Sequence, residues 1–396
     1  MKRPGAPSAM IRKLESAASS PAMPVDDEEE HLVTATPARP RRGSLKPQAR
    51  PAITRSIRPT LRASIAGVAA YLPEQVVTSD EVERRIAEAS REHGFVPRAG
   101  IVEELTGVRE RRYKRLDENT SDMAAEAARR AMASAGVTID EIDLLIFASS
   151  SQDLIEPATA HIVSAKLGGR AVVFDIKNAC NSFMNGMQVA DSLIRTGQYR
   201  RALICSGECP SEAVRWNVRD VDHMKASFAG YTFGDAGAAM VLEARTDGRG
   251  IHEIDVAAAS RYWELCQLPT GGSMHPRDLE KTYFEGDGSA LRDAFIEVGP
   301  GVIVDMFKRT RTTFDDYDVV LFHQVSEQML DVFLGVTGVP EEKVVRTVDT
   351  LGNVASTTLP IQLERAIESG RAQPGSNVLW IGVGAGISTV VMTTRL

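Results

Sequence analysis

The sequence predicts an α/β fold built from two related halves, and three observations predict it. Continuous apolar runs alternate with segments of helical periodicity, the strand–helix order recurs in the second half, and one short run is echoed. The echo is Asp143-Leu144-Leu145-Ile146-Phe147 against Asp318-Val319-Val320-Leu321-Phe322. Apolar runs without polar alternation mark strands covered on both faces, as helices packed on either side of a sheet require. A repeated order of elements points to two such units packed together.

The elements follow in order from Ser64. Ile65–Ala70 reads as a strand, and Ser79–Ala89 has the start signal and spacing of a helix. Ser121–Ala135 is an alanine-rich helix leading into the strand Ile142–Phe147, and Ala171–Ile176 is a further strand. Asn181–Arg195 carries apolar residues at helical spacing and Arg201–Ser206 returns to strand. In the second half Asp318–Phe322 is a strand, Glu327–Leu334 and Leu359–Ser369 are helices, and Asn377–Gly382 and Ser388–Thr393 are strands. This divides the chain into a tail over residues 1–60, an N-terminal half over 61–246 and a C-terminal half over 247–396.

Composition sets outer bounds. The 396 residues are 43% hydrophobic and 25% charged, enough for two core-forming halves. A net charge of −7 gives no sign of nucleic acid as a partner. No run reaches the roughly 18 apolar residues of a membrane span, and the N-terminus lacks a signal-peptide core. The four cysteines have no framework or zinc-site spacing, so neither disulfides nor a metal is expected, and a cytoplasmic setting fits. The tail joins the acidic run Asp26–Glu30 to a stretch, Pro37–Arg62, with eight Lys or Arg. It has no sustained apolar periodicity, so disorder is expected. It reads either as a solvated extension or as a docking arm for an acidic partner such as an acyl carrier protein.

Chemistry concentrates at strand ends. Cys180, in Lys177-Asn178-Ala179-Cys180-Asn181-Ser182-Phe183, lies between a strand and a helix, where free N–H groups and the helix dipole would favour a thiolate. The same position suits a small buried residue in a tight turn. His323 ends a strand, at the carboxyl edge where open α/β folds place their sites, although a hydrogen-bonded core histidine would look alike. Asn353, in Leu351-Gly352-Asn353-Val354-Ala355-Ser356, reads alone as a turn residue. Gly382-Val383-Gly384-Ala385-Gly386 is a glycine loop after a strand. Together these residue types suit thioester condensation. Cysteine accepts an acyl group, imidazole and amide donate to an enolate oxygen, and glycine admits a backbone N–H close to a thioester oxygen.

Asn178-Ala179-Cys180, Phe322-His323-Gln324 and Gly352-Asn353 through Pro360 resemble the three active-site motifs of the ketoacyl-synthase III branch of the thiolase superfamily. Phe233-Gly234-Asp235-Ala236-Gly237-Ala238-Ala239 and Gly382–Gly386 resemble its two glycine loops, and the similarity spans about residues 63 to 396. The resemblance implies a duplicated thiolase fold in five layers, αβαβα, in a homodimer, with no cofactor beyond the coenzyme A or carrier protein that bears the substrate. It implies Cys180 as nucleophile, His323 and Asn353 as activators of the second substrate, and the N–H groups of Cys180 and Gly386 as the acyl oxyanion hole.

Two departures bear on the branch. Thr106-Gly107-Val108-Arg109 is kept, but Ile101 and Leu105 stand where starter-type synthases carry their adenine-gripping Trp and Arg. Glu156, in Leu154-Ile155-Glu156-Pro157-Ala158-Thr159-Ala160, precedes Cys180 by 24 residues, where starter enzymes usually carry an apolar residue. That segment, and Gly94-Phe95-Val96-Pro97 through Arg109, are similar to the olefin-pathway (OleA-type) thiolases that join two acyl-CoA molecules head to head. There the loop glutamate is thought to remove the α-proton of the second chain, and it reaches in from the neighbouring subunit. A plain acyl thioester needs such a base, for which a desolvated carboxylate of raised pKa is suited; a malonyl donor loses carbon dioxide instead. The leading expectation is therefore non-decarboxylative Claisen condensation of fatty acyl thioesters. The alternative is a decarboxylative synthase III using malonyl carrier protein, and the third is a silent partner subunit. Glu103-Glu104 reads as a solvated helix face, His161 as a packed helix residue, Cys205 and Cys209 as strand neighbours. Trp263 and Met274 read as core or as the border of an acyl channel.

Overall fold

This computed structural model describes residues 61–396, so the expected N-terminal tail lies outside the described residues. Chain order begins with β1 (Arg62–Tyr71), the short pair β2 (Gln75–Thr78) and β3 (Glu110–Tyr113), then β4 (Leu144–Ala148), β5 (Val172–Ile176), β6 (Arg201–Glu208) and β7 (Ala236–Arg245). It continues with β8 (Gly250–Ala258), the two-residue strands β9 (Cys266–Gln267) and β10 (Glu285–Gly286), then β11 (Val319–Phe322), β12 (Asn377–Gly384) and β13 (Ser388–Arg395).

Two mixed sheets carry the molecule. The first has the order β1-β7-β6-β4-β5 and the second β11-β12-β13-β8. They superimpose as patterns: β4 beside β6 is parallel, as is β11 beside β12, while β7 and β13 run antiparallel to both neighbours. A single parallel bridge, Val320 to Val344, stands in the second sheet where β5 stands in the first. The echoed aspartates perform one task twice. Asp143 accepts from the N–H groups of Arg200 and Arg201 at 2.9 and 3.0 Å, and Asp318 accepts from Asn377 at 2.8 Å. Each thus ties the start of one parallel strand to the start of its neighbour.

Side-chain alternation along the strands builds the layers. Leu144, Ile146, Val319, Leu321, Val378 and Trp380 point into a central core that also holds the helices Ser182–Arg195 and Thr358–Glu368. Leu145 and Phe147 turn outward to the helices Thr120–Ala135 and Thr159–Leu167. Val320, Phe322, Leu379 and Ile381 turn outward to the helices Gly288–Thr310 and Glu327–Thr337. Helix, sheet, helices, sheet and helix make the five layers expected. Ser79–Ala89 is helical as read, begun by Thr78, whose side chain accepts from the Glu81 N–H.

Three elements escape the sequence pattern. β7 and β8 are rich in Ala and Gly or broken by polar residues, and Gly299-Pro300-Gly301 interrupts the pattern of the 23-residue helix Gly288–Thr310. β5, read as fully covered, is instead a half-exposed edge. Its sheet ends there, so no strand shields it within one chain.

The helix Thr120–Ala135 lies so close to the first sheet that a Cβ at Gly207 would come within 1.9 Å of the Thr120 carbonyl oxygen. Gly207→Ala should therefore lower stability by about 3 kcal/mol or more, since a backbone clash cannot relax as a side chain does. Gly301, whose added Cβ would meet nothing within 4 Å, is the control. Gly301→Ala should gain about 0.5–1 kcal/mol from reduced chain entropy. Urea midpoints of the two variants check the contrast.

Candidate active site

Between β5 and the helix Ser182–Arg195 the chain makes a tight elbow with Cys180 at its tip. Ala179 adopts φ 47°, a left-handed conformation that costs a non-glycine residue about 1 kcal/mol or more. Local bonds hold it there: the Asn178 N–H donates to Ser182 Oγ at 2.9 Å, and that hydroxyl donates to the Ala179 carbonyl at 2.7 Å. The surroundings oppose the thiolate that the helix N-terminus would favour. Burial first, then the charges of Glu208 and Cys266, push the Cys180 thiol well above its ordinary range. Residue 180 keeps some exposed surface, but its sulfur is enclosed enough for desolvation to outweigh the helix dipole.

Asn181 joins this elbow to the other half. Its Nδ2 donates to the Ser388 carbonyl at 3.0 Å and to Ser388 Oγ at 2.8 Å. A Cβ at Gly382 would sit 2.3 Å from Asn181 Oδ1, so glycine is what lets β12 approach. Two residues beyond β12, Gly386 has φ 118° and open space in front of it. Its neighbours Val383 and Ile387 belong to an apolar cluster with Ala294 and Phe295, against which Tyr262, Leu265 and Leu291 pack.

His323 follows β11 and its N–H donates to the Ile381 carbonyl at 3.0 Å, one residue before Gly382. The ring is 3% exposed, and neither nitrogen has a hydrogen-bond partner among the described residues. Burial lowers its pKa to about 4, so the imidazole is neutral at ordinary pH. Gln324 beside it accepts from the N–H groups of Thr347 and Val348 at 2.9 and 3.1 Å, which fixes the approach to Asn353. Asn353 is held at three points: its N–H donates to Thr232, its carbonyl accepts from Gly234, and its Oδ1 accepts from Ala355 at 3.0 Å. Its side-chain NH₂ makes no hydrogen bond among the described residues.

The Cys180 elbow, His323 and Gly386 are therefore tied to the end of β12 within one chain, while the Asn353 loop is braced on residues 232–234. Glu156 does not join them. The loop that bears it is pinned at Asp153, which accepts from Ser121 N–H at 3.0 Å, and at Thr159, whose N–H donates to Asp175 at 2.8 Å. Between these pins Leu154, Ile155 and Glu156 are exposed, Ile155 at 68%. A desolvated carboxylate was expected at Glu156; in a single chain nothing covers this loop.

The remaining candidates separate cleanly. Trp263 and Met274 are both exposed, so neither is core. Cys205 is buried in β6 and Cys209 lies just past it, whereas His161, expected to pack, is exposed on the outer face of the helix Thr159–Leu167. Glu104 pairs with Arg98 on the surface at 2.8 Å, and no metal-binding cluster occurs among the described residues. Leu105, in the adenine-clamp position, is exposed on the helix Ile101–Thr106. Sequence reading missed Asn181, Ser388 and the buried Glu208 as parts of the site. Glu208 carried the same signal as His323, a polar residue closing a buried strand.

The family model for 3-Oxoacyl-[acyl-carrier-protein (ACP)] synthase III matches residues 174–260, and that for its C-terminal part matches 307–396. The beta-ketoacyl-[acyl-carrier-protein] synthase III of Symbiobacterium thermophilum is 34% identical over 329 residues, covering 82% of this chain and 94% of that protein. The Clostridium perfringens protein of the same name is 31% identical over 331 residues, covering 82% and 97%. Among solved structures, a glutamate variant of Xanthomonas campestris OleA has 27% identity and a TM-score of 0.77, covering 86% of this chain and 100% of its own. A cysteine variant of OleA with bound lauric acid and lauroyl-CoA gives 27% and 0.76, covering 85% and 99%.

A neutral His323 has a consequence for stability. As pH falls from about 7 to about 5, the imidazole of the unfolded chain (ordinary pKa 6.5) protonates while the folded one, near 4, does not. The unfolded state then binds more protons, and folding loses about 2 kcal/mol over that interval from this residue alone. His323→Asn, which cannot titrate, should show a correspondingly smaller loss. Urea unfolding of both proteins at the two pH values measures the difference.

Proposed function

The chain belongs to the beta-ketoacyl-ACP synthase III family of condensing acyltransferases, and from that premise we propose that it joins two fatty acyl thioesters by non-decarboxylative Claisen condensation. Cys180 attacks the first acyl thioester; the acyl carbon gains the Cys180 sulfur and loses coenzyme A, which leaves with the thiol proton. The backbone N–H groups of Cys180 and Gly386 hold the developing oxyanion. Because the free thiol is held protonated, nucleophile formation is coupled to substrate arrival rather than standing ready in solvent.

The second acyl thioester must lose an α-proton. His323 and Asn353 donate to its enolate oxygen; a neutral imidazole can donate from one nitrogen, and Asn353 keeps its NH₂ free for the purpose. The carbanion attacks the acyl-Cys180 carbonyl, the carbon–sulfur bond breaks with its electron pair on sulfur, the abstracted α-proton restores the Cys180 thiol, and a β-keto thioester leaves. We assign the base to Glu156 of a neighbouring copy. The observation that carries this reading is the loop itself: anchored at both ends, it presents Leu154, Ile155 and Glu156 outward, in the same half as the bare edge of β5. Exposed apolar residues beside a carboxylate, together with an open sheet edge, fit a homodimer in which the loop is buried against the partner. Burial there would supply the desolvation that one chain lacks.

A second reading has its own support: the synthase III relatives match at higher identity than OleA does. On that reading a malonyl group on acyl carrier protein supplies the carbanion. Acyl-CoA or acyl carrier protein would serve as substrate on either reading, without a further cofactor. No helix among the described residues is long and apolar enough to cross a membrane.

Long-chain acyl-CoA alone should give a β-keto product by mass analysis, and Glu156→Ala should lower its rate by about 100-fold or more while still forming acyl-Cys180. Product that appears only when a malonyl thioester is added, with Glu156→Ala unaffected, would establish the second reading instead.

A further inference from the structure

Glu208 closes β6 and is fully buried, and the chemistry above makes no use of it. One carboxylate oxygen accepts from the Ser150 N–H at 2.8 Å, the Ser356 N–H at 3.4 Å and Ser356 Oγ. The other accepts from Ser150 Oγ at 2.6 Å, the Ser151 N–H at 3.1 Å and Ser151 Oγ at 2.8 Å. Six donors converge on a buried carboxylate, and no ion pair to it is found among the described residues. A buried carboxylate with no cation is costly unless its hydrogen bonds are complete. An apolar side chain would fill the same space at lower cost, so packing alone does not account for it.

What the six bonds connect is the instructive part. Ser150 and Ser151 open the loop that runs to Glu156, and Ser356 stands three residues after Asn353. We propose that Glu208 is a positioning residue for the condensation step, a clamp that sets the Asn353 segment against the root of the Glu156 loop. This rests on the reading that Asn353 and Glu156 act on the second acyl thioester. The Cys180 elbow is held separately, by Asn178 with Ser182 and by Asn181 with Ser388. The hydrogen bonds of the clamp therefore do not touch the Cys180 elbow. Glu208 also faces Cys180 electrostatically and, with Cys266, supports its protonated form. The other titratable neighbour is Cys209, which feels Asp235 and Lys114 as well as Glu208.

The test separates the two half-reactions. Ser356→Ala cuts the Asn353 arm and keeps the charge; it should form acyl-Cys180 at the wild-type rate, read by intact mass, yet condense about 10–100-fold more slowly. Glu208→Gln should slow condensation likewise. In addition it should move the pH profile of Cys180 alkylation by iodoacetamide to lower pH, because a neighbouring negative charge is gone; Glu208→Asp should restore that profile. A purely structural role would instead lower loading, condensation and thermal midpoint together, and that result, or an unchanged condensation rate in Ser356→Ala, overturns the proposal. If the wild type needs a malonyl thioester, the reading of the second substrate fails, and the same split measured with that donor still decides the clamp.

Discussion

The contact on which the site depends is the insertion of Asn181 against β12. Its amide donates twice to Ser388 while Gly382 and Gly384 leave the space it occupies. This one junction joins the nucleophile's elbow, from the first sheet, to the strand end of the second. His323 is bonded to Ile381 on that strand, Gly386 follows it, and the Asn353 loop is braced against residues 232–234 from the first half. A side chain at position 382 would displace the Asn181 amide and break its bonds to Ser388, next to the nucleophile's elbow. Duplication thus explains the architecture, and close approach at two glycines explains why the duplicated halves make a site.

The electrostatics of that site favour donors over charges. The Cys180 thiol is pushed up and the His323 imidazole is pushed down by the same burial, so the resting pair is neutral. In a water-poor pocket, fixed N–H and amide donors aimed at a developing oxyanion are worth more than they would be in solvent. Such a design suits successive oxyanions, first on the thioester and then on the enolate. It also leaves no strong base among the site's own residues, which is why the source of the carbanion turns on Glu156 or on loss of carbon dioxide.

Much of the fold was legible because local rules act locally. Thr78 caps the helix Ser79–Ala89, and the Asp-led runs of β4 and β11 announce buried parallel strands. β7 escaped because Ala236–Ala239 is small-residue sequence selected by its packing against Thr120–Ala135, not by strand pattern. The long helix Gly288–Thr310 was hidden by Gly299, Pro300 and Gly301, which tertiary contacts tolerate. At the site, residue types at strand ends singled out Cys180, His323 and Asn353. The ionisation of Cys180 was misjudged because a helix dipole is a local feature, whereas desolvation is set by everything around the sulfur. The surroundings of Glu156 could not be read at all, since its own chain leaves that loop exposed.

The central claim is that the carbanion arises by removing a proton from a plain acyl chain. The most direct measurement is the kinetic isotope effect with α,α-dideuterated acyl-CoA as the sole substrate. The account predicts β-keto product carrying label from both chains and a primary isotope effect on condensation that is absent from acyl-Cys180 formation. Product formed only with a malonyl thioester, at a rate indifferent to α-deuteration, would contradict it.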